Sequence, residues 1–263
     1  MSLTRITSLI EQSAAVILDG AFGTELARRG LPPGTPPEEW NLSHPDAVAD
    51  VARAYARAGA RIVLANSFGG SRLKLARSGL DTSADEINRA AVVNARDGAG
   101  PDVLVFASLG PTGHFIEPLG DVAPGTMTDV FRAQADALAG AGVDGFVIET
   151  MTDLDETVCA LRAARAAAPD LPVAASMTFD KGPRGFASIM GVTPSVAAPR
   201  LRDEGADIIG TNCGNGMENI IEIVRELAAC VDRPLWAKPN AGMPQLVNGA
   251  TVFPATPDEM AGD

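Results

Sequence analysis

Seven short apolar runs, each followed by a stretch of helical period, constrain this 263-residue chain more than any other feature of its sequence. The runs occupy 15–19, 61–66, 102–107, 145–149, 172–177, 207–212 and 234–238. They are rich in β-branched residues and nearly continuous in apolar character, as strands buried on both faces of a parallel sheet must be. Ala-, Arg- and Leu-rich segments at 45–58, 83–95, 128–141, 153–167, 194–204 and 218–229 carry helical spacing between them. Ser43 and Asp153 stand where N-caps belong, and Thr193-Pro194 puts proline in a first helical turn. Gly59, Gly142 and Gly205 fall between a helix and the next strand, where a C-terminal glycine is expected.

Strands and helices in strict alternation make an α/β protein, and two architectures compete: the doubly wound open sheet and the (β/α)8 TIM-type barrel. No Gly-x-Gly-x-x-Gly follows the first run with an acidic residue at the right distance, so a dinucleotide site lacks its main support. Polar or reactive residues stand instead at the C-terminal ends of the runs: Asp19, Asn66, Ser108, Glu149, Thr178, Cys213 and Asn240. A ring of functional side chains at one face is what a barrel enzyme uses. The expectation is therefore one barrel domain over residues 1–263, lacking its eighth βα unit. Residues 255–261 read as the cap and first turn of a seventh helix. A seven-stranded edge leaves backbone groups unpaired, so the natural chain is expected to continue past Asp263. Glycine- and proline-bearing loops at 30–37 and 110–125 leave strand ends where barrels place substrate loops, and 182–185 reads as a turn.

Charge narrows the partners. Acidic residues outnumber basic ones 33 to 21, giving a net charge of −12. Such a surface repels phosphate backbones and anionic lipid, so neither nucleic acid nor a membrane is expected as a partner. Three cysteines, an odd and sparse set, do not form a disulfide framework. With no basic leader and no apolar stretch long enough to span a bilayer, a reduced, cytoplasmic setting is expected.

Three strand ends carry the candidate chemistry. Asp19 begins the stretch Asp19-Gly20-Ala21-Phe22-Gly23, whose glycines allow backbone to approach a small charged ligand. A tight turn capped by the aspartate is the structural alternative. Glu149 ends its run facing the barrel mouth, where a carboxylate needs a ligand ammonium or a polar neighbour. A salt bridge to a neighbouring strand would also account for it. Cys213, between Asn212 and Gly214, has room to act as a nucleophile or a zinc ligand, although no second cysteine or histidine stands at metal-ligand spacing. Cys159 and Cys230 read as small buried hydrophobes. His44 flanks a helix start, and His114 lies in a loop.

These motifs together resemble the homocysteine S-methyltransferases. The matching stretches begin with Asp19-Gly20-Ala21-Phe22-Gly23-Thr24-Glu25-Leu26, Asn41-Leu42-Ser43-His44-Pro45 and 55–68. Val147-Ile148-Glu149-Thr150, Ile209-Gly210-Thr211-Asn212-Cys213 and Lys238-Pro239-Asn240-Ala241-Gly242 follow in order. The resemblance runs from about Ala15 to the end, and it implies a (β/α)8 barrel that moves a methyl group onto homocysteine to make methionine. It also implies a zinc held by three thiolates, one of them matched by Cys213. The other two belong to a Gly-Gly-Cys-Cys-Gly motif on the eighth strand, which this sequence lacks. The resemblance gives Cys213 and Glu149 the catalytic roles and Asp19, Gly20, Ala21, Glu149 and Asn212 the binding of the acceptor. In it the main chain of Asp19 and Gly20 meets the amino-acid end and Glu149 meets the ammonium.

The methyl donor is less constrained. Betaine users resemble one another in an aromatic box for the quaternary ammonium. Trp40 matches one wall, but Gly69 and Thr150 stand at the others. The stretches at 148–151 and 238–242 look closer to the methionine-synthase type and to short bacterial enzymes. Their donors are methylcobalamin on a corrinoid protein, methyltetrahydrofolate through such a protein, or S-methylmethionine. Two other readings stay open: a barrel lyase using Lys238 as a Schiff base, and a non-catalytic barrel that binds a corrinoid protein. A small thiol is the expected substrate, and a homo-oligomer stays open.

Overall fold

The apolar runs form a curled parallel sheet because each is too short and too apolar to be stable unless both faces are covered. The computed structural model describes residues 2–13, 15–214, 216–243, 245–247 and 250–262. Its strands are β1 (Ile62–Leu64), β2 (Leu104–Leu109), β3 (Gly145–Met151), β4 (Val173–Met177), β5 (Asp180–Gly182), β6 (Gly185–Ala187), β7 (Ile208–Asn212), β8 (Leu235–Lys238), β9 (Gln245–Val247) and β10 (Ala250–Val252). Six of them pair in the order β1-β2-β3-β4-β7-β8, every neighbour parallel. The pairs β5–β6 and β9–β10 are small antiparallel hairpins. The turn expected at 182–185 is the tip of the first hairpin.

The run at 15–19 is a correction in degree. It makes one parallel bridge, Leu18 to Ile62, rather than a full strand. Arg61 N–H donates to Ile17 O at 2.8 Å and Asp19 N–H to Ile62 O at 3.0 Å, so the segment still lies alongside β1. Among the described residues no parallel strand joins β8 to this segment, and the sheet is an open, curled part of a barrel.

Side chains alternate across the sheet. Ile62, Leu64, Leu104, Phe106, Val147 and Trp236 belong to an inner cluster. Their sequence neighbours Val63, Val105, Phe146 and Ile148 belong to the outer core under the helices. Several of these side chains are fully buried. Each such aliphatic or aromatic side chain contributes roughly 1.5–3 kcal/mol by leaving water. The covering helices are Pro45–Arg57, Ala84–Ala99, Pro124–Gly140, Leu154–Ala167, Pro194–Asp203 and Met217–Cys230. Their starts follow the expected signals at Asp153, whose carboxylate accepts Asp155 N–H at 2.9 Å, and at Thr193-Pro194. Ser43 is not a cap: it ends the short helix Trp40–Ser43 and donates back to Glu39 O at 3.2 Å, while His44 takes the N-cap position. The helices Ser2–Gln12 and Phe22–Arg28 are not expected from the sequence; the first packs Ile6, Leu9 and Ile10 against the inner cluster, and the second is only seven residues long. The final helix, Pro257–Gly262, begins where the sequence places a cap. None of the described helices is long and apolar enough to cross a membrane.

Candidate functional site

Every strand of a parallel sheet delivers its last residue to the same end, so the polar strand ends converge. All of those picked from the sequence except Thr178 line one cavity of about 620 Å³, within the range of small-molecule sites. Thr178 supports it from behind, its hydroxyl donating to Asn212 O at 2.9 Å. Gly20, Ala21 and Asn212 also line the cavity. Neither His44 nor His114 does. His44 stacks on Trp40 at 4.3 Å between ring centroids. Cys159 is buried under the helices, and that burial pushes its thiol up from the ordinary cysteine range.

Asp19 is buried, and both of its oxygens are engaged. Oδ2 accepts Leu64 N–H at 2.7 Å, and Oδ1 accepts the Lys238 ammonium at 2.8 Å. The Lys238 contact ties the end of β8 to the first strand segment, 219 residues earlier in the chain. Burial alone would lower the Lys238 pKa, but the negative charges of Asp19 and Glu149 outweigh it and hold the ammonium above the ordinary lysine range. Tyr55, on the Pro45–Arg57 helix, donates to Ala21 O at 3.0 Å and packs on Gly20. A Cβ at Gly20 would come within 2.7 Å of the Tyr55 hydroxyl, so the close packing requires glycine. Burial, then the charge of Asp19, pushes the Tyr55 hydroxyl up to about 12.

Glu149 is buried at the end of β3, its Oε1 accepting the Ser108 hydroxyl at 2.5 Å. Asn212 holds the neighbouring turn together. Its Oδ1 accepts Thr150 N–H at 2.9 Å and Ser176 Oγ–H at 2.6 Å, while Nδ2 donates to Thr150 Oγ1 at 2.7 Å. Thr150 and Cys213 both adopt positive φ, 60° and 58°. Left-handed backbone costs a β-branched residue most, and such strain persists only where surroundings over-determine it. Here the two strained residues face each other, Thr150 Oγ1 lying 3.8 Å from Cys213 Sγ.

Two buried carboxylates at this end escaped sequence reading. Glu38 lines the cavity and accepts Gly69 N–H at 2.6 Å; a Cβ at Gly69 would lie 2.9 Å from that same oxygen. Burial pushes the Glu38 carboxyl up, and the Gly69 hydrogen bond offsets part of that. Glu156 accepts both N–H and O–H of Thr112 at 2.8 and 2.7 Å, and burial raises its pKa as well. A hydrophobic neighbour at Glu38 would have been a signal; its neighbours in sequence are proline, proline and glutamate, which read as loop.

The metal set implied by the resemblance is not present here. Among the described residues no group of three or more His, Cys, Asp and Glu could hold a metal ion. Cys213 contributes one thiol, and no group of described residues around it completes a zinc site. The aromatic box is likewise absent as a wall: Trp40 is buried in a core cluster with Leu26, Val48 and Val51, not on the cavity.

A curled parallel βα sheet whose strand ends close around one polar cavity is the design of the barrel enzymes. The Homocysteine S-methyltransferase family model matches residues 16–263. The chain belongs to the homocysteine S-methyltransferase family. It is 29% identical to methionine synthase of Mycobacterium leprae (strain TN), over 97% of this chain and 22% of that protein. It is 32% identical to betaine–homocysteine S-methyltransferase 1 of Xenopus tropicalis, over 78% of this chain and 50% of that protein. The chain thus spans about a fifth of the first relative and half of the second. In fold it resembles the homocysteine methyltransferase MmuM from Escherichia coli in its metallated form. The TM-score is 0.77 at 23% identity, with 89% of this chain and 86% of that one covered. That structural likeness bears on the barrel architecture.

Proposed function

We propose that this protein transfers a methyl group to the thiol of homocysteine, yielding methionine. The observation that carries the reading is the convergence of Asp19, Glu149, Asn212 and Cys213 on one cavity, within a chain of this family. In the proposed complex the Glu149 carboxylate receives the acceptor ammonium, as a buried carboxylate needs a cation or a donor. The main chain over 19–21 meets the acceptor carboxylate, and Tyr55 and Leu64 hold that loop in place. The acceptor sulfur then lies toward Cys213. In the reaction the thiol gives up its proton to solvent, the sulfur forms a bond to the methyl carbon, and the donor leaves with the electrons of its own bond to that carbon. Orientation in the cavity supplies much of the rate.

In this reading Cys213 would be one thiolate ligand of a zinc ion, the other two belonging in the family to a motif that this sequence lacks. Metal content tests it: one zinc per chain, lost in Cys213→Ala, supports the role, and a folded protein without zinc removes it. The proposed donor is S-methylmethionine or a methylcorrinoid protein charged from methyltetrahydrofolate, rather than betaine. The retreat of Trp40 into the core and the presence of Gly69 and Thr150 at the other box positions support that order. Phe115, Leu119, Ile189 and Met243 are exposed on loops that leave the C-terminal ends of β2, β6 and β8, which suits a partner protein seated over the mouth. The lyase reading loses its support, because a Schiff-base lysine must be neutral and Lys238 is held protonated.

The deciding assay offers homocysteine with S-methylmethionine, methylcobalamin or betaine and follows methionine. Turnover with either of the first two, lowered at least about 100-fold in kcat/KM by Glu149→Ala, is the expected result. Turnover with betaine alone would reverse the donor order. A folded, metal-replete protein inert with all three would leave the corrinoid-binding scaffold.

A further inference from the structure

We propose that Lys238 is a positioning residue for the acceptor's carboxylate, acting through Asp19. The inference rests on the acceptor reading above and adds to it a residue that decides which charge the site accepts. Asp19 presents the problem. Its carboxylate is buried within the loop whose main chain takes the acceptor carboxylate. Two like charges in a poorly solvated pocket repel strongly. The Leu64 N–H on Oδ2 is a neutral donor and removes none of that charge. The Lys238 ammonium on Oδ1, 2.8 Å away, removes it.

The balance at the cavity floor follows. Asp19 and Glu149 bring two negative charges and Lys238 one positive, while Tyr55 stays neutral with its hydroxyl on Ala21 O. One negative charge is left over, and it sits on Glu149, in β3. A zwitterion fits that arrangement: ammonium to Glu149, carboxylate to 19–21. Without Lys238 the floor would suit a cation and turn away an acid.

Lys238 is held to this task by its setting. It ends β8, where the register Asn212 to Lys238 fixes its Cα, and its own carbonyl accepts Cys213 N–H at 3.1 Å. The same residue therefore anchors the main chain of Cys213 and the charge of Asp19.

Calorimetric titration with L-homocysteine under reducing conditions, on protein checked for folding by far-UV circular dichroism, tests the proposal without turnover. Lys238→Met is expected to weaken binding about tenfold or more, and Lys238→Arg to stay within a few-fold of the parent. Asp19→Asn leaves the ammonium uncompensated and is expected to bind at least as tightly as the parent. The double variant Asp19→Asn with Lys238→Met is expected to recover most of the loss. A matching titration uses 3-aminopropanethiol, the acceptor without its carboxylate; Lys238→Met should not weaken it. Equal loss for both thiols, or no recovery in the double variant, would mean that Lys238 serves only the fold and would overturn the proposal. If Lys238→Met does not fold, Asp19→Asn decides: weaker homocysteine binding there overturns the proposal. A folded parent that binds no homocysteine removes the acceptor reading itself, and this inference with it.

Discussion

Tyr55 is the only tyrosine in the chain, which makes its ionisation directly visible. Burial and the Asp19 charge hold its hydroxyl at about 12, so tyrosinate absorbance should titrate with a midpoint near that value in the folded protein and near 10 after unfolding. The folded state holds this proton more tightly than the unfolded state. Its contribution to stability is therefore complete below pH 10 and is lost as pH rises through about 12. A midpoint near 10 in folded protein would mean that the hydroxyl is not packed against Gly20. Glu38 offers a second test, because what Gly69 N–H needs is an acceptor rather than a charge. Glu38→Gln should unfold at nearly the parent's urea midpoint, whereas Glu38→Ala should cost about 1–3 kcal/mol by stranding a buried donor. The positions of Asp19, Glu149 and Cys213 were legible in the sequence because strand ends follow from the period of the chain. Glu38 was not, since its burial is decided by the β1 loop folding over it, 31 residues away.

At the scale of the elements, one device recurs at the end opposite the cavity. Asp144 Oδ2, just before β3, accepts Val105 N–H of β2 at 2.9 Å and the Arg96 guanidinium at 2.7 Å. Asp207, just before β7, does the same with Val173 N–H of β4 and Arg165. Each aspartate thus fastens a strand start, its neighbour and the helix that leads into the neighbour. Conservation of shape at the mouth depends on this far end, since strand registers set where the last residues fall. Asp144→Ala should cost about 1–3 kcal/mol in urea unfolding, and Asp144→Asn less, since its amide oxygen still accepts the Val105 N–H. Equal losses in the two variants would assign the energy to the charge pair instead. The helices and strands themselves were largely readable, because their periods are local. The first run was not: its continuous apolar stretch reads as a strand, yet at 15–19 it forms a single bridge to β1. The hairpins were missed apart from one turn, as three-residue strands carry no period at all.

For the whole molecule, family and fold were written in the order of motifs along the chain, while the pairing that spans the sheet was not. Nothing in a lysine at 238 names an aspartate at 19 as its partner; only the curl of the assembled sheet does. That separation has a kinetic meaning. A contact between residues 219 positions apart can form only after the intervening βα units have collected, because closing so long a loop early costs entropy that nothing yet repays. The ion pair should therefore be absent from the rate-limiting ensemble of folding and present only on the native side of it. Weakening it with Lys238→Met is expected to speed unfolding in denaturant jumps and leave the refolding limb where it was. A slowed refolding limb would place the pair earlier in assembly. The bond that sets the charge of the site would then also act as a latch, thrown once the sheet has curled and slow to lift afterward.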